Sequence, residues 1–300
     1  MKSFIIIVLT LMIIQENHAQ DRIMFKHILI TNDDGIEDKA RLLKLAQSVN
    51  QVADRVSIVV PESDRSGTSN HTTFGKYQRT LEVYCLEQDE GNTIGLYTVP
   101  GNPADCILLG MLGLFGEDKP DLVLSGINSG ANIGPEWFGS GTIGAVRMAS
   151  FLGVKGIAFS GYYKKDPEYC DLIRKWIIRF ISGGITGRIG HNDYLTVAFP
   201  DVSPDKIKGV KVARRRVSYG NPDAVVFKKT EGDEAGIPGN RTVWSLTIAG
   251  NPVSDPEVYD DILLKDGYVL ITPMTIDEND STGIDQLQGN TFEIPDFPSE

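Results

Sequence analysis

The chain has 300 residues, 41% hydrophobic and 23% charged, enough apolar material for one sizeable core or two unequal ones, with no tract that reads as disordered. Its net charge of −11 argues against a binder of nucleic-acid duplexes, which need clustered cations to displace counterions from the phosphate backbone. An anionic ligand would need local compensation from a metal, a helix N-terminus or a few arginines.

At the start, Lys2 precedes an apolar run over Phe4–Ile14, then a polar step and Ala19-Gln20. A basic start, a short apolar stretch and a closing small residue predict a secretory signal peptide over 1–19. The run is shorter than the ~20 apolar residues that span a bilayer, so no membrane attachment is expected once it is removed; a retained N-terminal anchor is the alternative. Export predicts a periplasmic or secreted protein. Cys85, Cys106 and Cys170 are odd in number and lack metal-ligand spacing; they read as buried thiols with at most one bridge.

From His27 onward, short β-branched runs alternate with helical stretches. Strands are predicted at His27–Asn32, Arg55–Pro61, Leu96–Pro100, Asp121–Ile127 and Lys155–Ser160. Helices are predicted at Asp38–Val49, Ala104–Phe115, Thr142–Leu152 and Asp166–Ile181. The alternation predicts an α/β fold with a mostly parallel sheet and right-handed crossovers. After about Tyr194 the texture changes: "YLTVAFP", "VKVARRRVSY", "AVVFKK", "TVWSLTIAG" and "GYVLITPM" are strand-like and separated by Gly/Pro/Asn-rich turns. The expected division is a core at 26–193 and a smaller C-terminal β-rich portion or arm at 194–300, ending in a polar tail.

Ligands of an open parallel sheet gather outside the carboxyl ends of its strands. Polar or glycine-rich stretches follow predicted strands at "TNDDG" (31–35), "PESDRSG" (61–67), "PGNPADC" (100–106) and "SGINSGANIG" (125–134). Their convergence would gather Asp33, Asp34, Ser66 and Asn128. Adjacent carboxylates beside an apolar strand repel and are costly to desolvate, and a hard divalent cation such as Mg²⁺ or Mn²⁺ would offset both effects. Plain turn chemistry is the alternative, for which Asn-Asp-Asp-Gly is equally suited. Further on, Ser140-Gly141-Thr142 opens an apolar helix whose free N–H groups and positive dipole end suit a phosphate; a helix cap packed at its glycines is the alternative. Neither a Walker A loop nor a Gly-x-Ser-x-Gly elbow is present. His71, in a loop near this edge, is either a general acid/base or a surface residue without a role. Arg214-Arg215-Arg216 could contact an anionic ligand, but in a strand-like context it is expected on a solvated or partner-facing edge. Trp137 and Phe138 either stack on a nucleobase or fill the core.

"ILITNDDGI", "PESDRSG", "PGNPADC", "LVLSGINSGANIG", "SGTIGA" and "GYVLITP" occur in an order and spacing that resembles the SurE family of survival-protein phosphatases, over about His27 to Pro273. The resemblance implies a Rossmann-like core with a C-terminal β portion used in oligomerisation, as a homodimer or homotetramer. It implies a 5′(3′)-nucleotidase and acid phosphatase that hydrolyses nucleoside monophosphates with a metal-activated water. The cofactor implied is one divalent ion, Mg²⁺ or Mn²⁺, with Ca²⁺ as a crystallographic occupant. By motif, Asp33, Asp34, Ser66 and Asn128 are the implied metal ligands, the two aspartates being also the catalytic pair. Asn32, Gly67, Asn132, Ser140, Gly141 and Thr142 fall beside the phosphate. Departures from the pattern include Glu37-Asp38-Lys39 in place of Ala-Pro-Gly, and Met148 where a Glu is common. A signal peptide is also unusual for a family that is mainly cytoplasmic. An aspartyl-phosphate route is disfavoured because the carboxylates are adjacent and not Asp-x-Asp; a binding module without turnover is the non-enzymatic alternative.

Overall fold

The computed structural model describes residues 24–73, 80–89, 91, 93–161, 166–217, 225–230, 243–248, 258–282 and 284. The expected signal peptide and the end of the tail lie outside the described residues. In chain order the elements are β1 (Phe25–Thr31), α1 (Lys39–Val49), β2 (Ala53–Pro61), β3 (Tyr84–Gln88), β4 (Ile94–Val99) and α2 (Pro103–Leu109). Then come β5 (Leu122–Asn128), α3 (Gly141–Phe151), β6 (Lys155–Ser160), α4 (Pro167–Ser182) and β7 (Asp193–Ala198). The last are β8 (Val210–Val212), β9 (Val225–Thr230), β10 (Val243–Ile248), α5 (Asp260–Lys265) and β11 (Val269–Thr275).

The main sheet has nine strands in the order β3-β4-β2-β1-β5-β6-β7-β11-β8. From β4 to β7 all neighbours run parallel. The edges are mixed: β3 pairs antiparallel with β4, β11 antiparallel with β7, and β8 parallel with β11. Helices cover both faces, which is why the β1 and β5 runs are apolar almost throughout. On one face α1 and α4 bury Leu42, Leu45, Ile173 and Ile177 against the sheet; on the other α2 and α3 bury Ile107, Ile143 and Val146. Each such side chain contributes about 1.5–3 kcal/mol when fully buried. Asp166 caps α4 by accepting the N–H groups of Glu168 at 2.9 Å and Tyr169 at 3.2 Å.

Strand order runs outward from β1 in one direction through β2 and β4, and in the other through β5 and β6. The switch point therefore lies between the carboxyl ends of β1 and β5. These are the ends that carry Asp33-Asp34 and Asn128.

Several elements differ from the sequence expectation. The division at 193/194 does not follow the sheet: β7, β11 and β8 extend it, and of the described strands only β9 and β10 form a separate two-stranded sheet. The helix expected over Ala104–Phe115 is α-helical only to Leu109 and continues as a π-turn over Gly110–Leu114, a relaxation that two glycines favour. The strand β3, exposed throughout, and the six-residue α5 had no expected counterpart. Cys106 and Cys170 are buried free thiols as expected, whereas Cys85 is exposed on β3 and no cysteine is bridged.

Candidate active site

Beyond β1 the chain turns sharply at Asn32–Gly35. The Asn32 side chain closes the turn on itself, its Oδ1 accepting from Gly35 N–H and its Nδ2 donating to Gly35 O, both at 3.1 Å. Gly35 has φ 75°, and a Cβ there would lie 2.6 Å from the Ser63 carbonyl carbon. Only glycine serves both conditions. Asn32 is thus buried and committed to the turn, and it presents Asp33 and Asp34 beyond the strand end.

Asp33 is buried and faces the start of α3. Thr142 donates to it twice, from its N–H at 3.0 Å and from its hydroxyl at 2.5 Å. Ser140 caps the same helix by accepting the Ile143 N–H at 3.1 Å. The positive end of α3 is therefore spent largely on the protein's own carboxylate, and among the described residues the Gly141 N–H is the amide left over for an anion. Burial pushes the Asp33 carboxyl above its usual range; the Thr142 hydroxyl pulls it back and the neighbouring Asp34 charge pushes it up again. Asp34 is likewise raised by burial, opposed by the Arg41 guanidinium. Arg41 Nη2 lies 2.6 Å from Asp34 and also bonds Asp38, while Ser129 Oγ donates to Asp34 at 3.3 Å.

The segment 61–73 stitches these loops together. Arg65 N–H donates to Asp33 O at 2.7 Å, and its guanidinium reaches Gly101 O at 3.2 Å. Ser69 binds the chain before α3 through its N–H to Gly139 O and its hydroxyl to Phe138 O, both at 2.9 Å. At Gly144 the approach is so close that a Cβ would lie 1.9 Å from Ser69 O. Thr73 N–H reaches the Asp105 carboxylate at 2.9 Å, and Asp105 in turn closes the capping box of α2 with Asn102. All four strand-end loops thus meet at one edge.

Within that edge the predicted residues differ in disposition. Asp33, Asp34 and Asn128 lie around the switch point, Asn128 donating through Nδ2 to Gly130 O at 2.8 Å and to Asn132 Oδ1 at 3.3 Å, which leaves its own Oδ1 for a cation. Ser66 is exposed beside Gly67, and its hydroxyl donates to Asp64 at 2.6 Å. The buried Asn132 Nδ2 has no partner among the described residues. His71 is exposed, its N–H tied to Thr68 O at 2.9 Å. Trp137 packs against the core beneath the Arg147 guanidinium, 4.6 Å from the ring centroid, whereas Phe138 is 71% exposed. The arginine triplet corrects its expectation: Arg215 and Arg216 are buried. Arg41 and Ser129, which bond Asp34, were not singled out from sequence, although a lone Arg on the apolar face of α1 was the available signal.

No group of three or more His, Cys, Asp or Glu side chains suited to a metal occurs among the described residues. Two carboxylates and the Asn128 amide oxygen are nonetheless an all-oxygen donor set, and both carboxyls are held above their usual range by burial that a cation would relieve. The residues fit a hard divalent ion, with Ser66 able to join once its hydroxyl leaves Asp64.

Fold and site together define an α/β protein with an acid pair at the switch point of a parallel sheet, clasped by a helix N-terminus. The family model described as Survival protein SurE matches residues 28–220. Similar proteins include the "5'-nucleotidase SurE" of Halorhodospira halophila, 31% identical over 88% of this chain and 97% of its own. That of Campylobacter curvus is 32% identical over 88% and 98%. A crystal structure of the SurE protein from Aquifex aeolicus superposes with a TM-score of 0.69 at 26% identity, covering 87% of this chain and 99% of that one. The chain belongs to the SurE family.

Proposed function

We propose that the protein is a phosphoric monoester hydrolase that releases phosphate from nucleoside 5′-monophosphates, and from 3′-monophosphates, with one divalent ion, Mg²⁺ or Mn²⁺, as cofactor. The observation that carries this reading is the clasp of Thr142 on Asp33 at the switch point, beside Asp34 and Asn128. Asp33, Asp34 and Asn128, with Ser66, would hold the ion. What the ion supplies when bound is Lewis acidity toward a phosphoryl oxygen and toward a water. The chain's own residues do the rest by orientation. Thr142 and Arg41 fix the two carboxylates; Asn132 Nδ2 and the Gly141 N–H are donors for the oxygens of the transferring group. His71 is a candidate proton donor to the leaving oxygen. The exposed Phe138 ring, held by Ser69 through its backbone, offers a face to a nucleobase.

The names of the relatives support the nucleotidase reading. Release of inorganic phosphate from a nucleoside 5′-monophosphate tests it: steady turnover supports it, and its absence in metal-supplemented folded protein rejects it. The hairpin of β9 and β10 is assigned to contact between copies in a homodimer or homotetramer, because Phe227 and Leu246 pair across it and both are exposed, as is Trp244. Export to the periplasm or the medium completes the proposal.

A further inference from the structure

Arg215, expected at a solvated or partner-facing edge, forms one of the most buried ion pairs in the described protein. It lies 2.7 Å from Asp260, with side-chain exposures of 3% and 1%. Stripping water from two such ions costs several kcal/mol each, so a buried pair is a poor device for stability alone. Its other bonds show what it holds. Arg215 Nη1 donates to Asn132 O at 2.5 Å and Nη2 to Thr196 Oγ1 on β7 at 2.6 Å. Asp260 Oδ2 accepts the Gly134 N–H at 3.0 Å, and its Oδ1 accepts from Arg216 N–H at 3.1 Å and Asp261 N–H at 3.0 Å. From the other side, Asn132 N–H donates to Ser160 Oγ at 3.1 Å. The two charges of one pair thus grip the turn at Asn132 and at Gly134. The backbone is fixed while Asn132 Nδ2 keeps no partner among the described residues.

We infer that the Arg215–Asp260 pair is a positioning device that sets the Asn128–Gly134 segment, and with it the Asn132 amide, at the phosphate. Arg215 acts through Asn132 and touches no substrate; its effect on turnover rests on the function proposed above. The family match ends at residue 220, so Asp260 lies beyond it and brings the C-terminal stretch into the scaffold of the site.

The test uses the full chain with Arg215→Lys, which keeps the charge but loses the planar fork, and Thr196→Val, which removes one anchor. Read together are kcat and KM on a nucleoside 5′-monophosphate, the thermal midpoint, and hydrogen exchange along the chain. Arg215→Lys is expected to lower kcat/KM ~10–100-fold, mostly through kcat, since small misplacements cost that much. Exchange is expected to rise at Asn132 and Gly134 while α1 and α4 stay protected; Thr196→Val shifts both readouts the same way by less. A folded Arg215→Lys protein with kcat/KM within about twofold of wild type, or with exchange raised evenly over the fold, overturns the inference. Should Arg215→Lys not fold, unchanged kcat/KM and exchange in Thr196→Val overturn it instead. Wild-type protein that releases no phosphate rejects the proposed function, and the exchange pattern alone then decides the brace.

Discussion

Thr142 holds Asp33 by a backbone N–H at 3.0 Å and a hydroxyl at 2.5 Å, and only the second can be removed without touching the helix. Hydrogen bonds to a charged group are worth ~1.5–3 kcal/mol, so Thr142→Val should lower kcat/KM by about ten- to a hundredfold, measured by phosphate release. A second residue-scale prediction concerns stability. His27 is fully buried, its Nδ1–H donating to Asp118 O at 2.7 Å and its Nε2 accepting from Ser57 Oγ at 2.8 Å. Burial depresses its pKa below the usual 6.5. The folded state therefore resists protonation: this contribution is intact above pH 6.5 and is lost as pH falls from there through the folded pKa, by at most about 1.4 kcal/mol per pH unit. Urea unfolding between pH 7.5 and 5 should show that slope, and it should flatten in His27→Gln. The acid pair was legible in the sequence because two charges after an apolar run are anomalous. Its clasp was not, since Thr142 lies 109 residues away and nothing local announces it.

At the scale of elements, the segment 61–73 is the strap that joins the strand ends, and it depends on a glycine in α3. A Cβ at residue 144 would lie 1.9 Å from Ser69 O. Gly144→Ala should push the strap off the helix, costing ~1–3 kcal/mol by overpacking and most of the activity, read from thermal unfolding and phosphate release. The buried strands were legible within a residue or two, because burial on both faces writes continuous apolar runs, and so were α1, α3 and α4, whereas α2 ends six residues before its expected end. The strand β3 was invisible because an exposed edge strand carries no burial pattern, and α5 because six residues are too few for helical periodicity. Arg215 was misread for a related reason: a triplet of arginines reads as solvated until a distant carboxylate, Asp260, is known to meet it.

For the whole molecule, the nine-stranded sheet runs across the division expected at 193/194, so β7, β8 and β11 belong with the core, and of the described strands only the β9–β10 pair stands apart as a sheet. A two-stranded hairpin is marginal alone, and its apolar pair Phe227 and Leu246 should be covered by another copy. Phe227→Asp with Trp244→Asp is expected to lower the mass in solution by light scattering, and an unchanged mass would contradict the assignment. Activity in an exported fraction, and not in cytoplasm, would support the signal peptide. No helix among the described residues is long and apolar enough to cross a membrane. The central claim is that Asp33 and Asp34 serve a divalent ion at a phosphate site. It is tested most directly by phosphate release from a nucleoside monophosphate using metal-stripped protein, with Mn²⁺ or Mg²⁺ returned, beside Asp33→Asn. The expected result is loss on stripping, recovery with the metal, and a drop of ~100-fold or more in the variant; activity indifferent to metal, or fully retained in Asp33→Asn, would contradict the account.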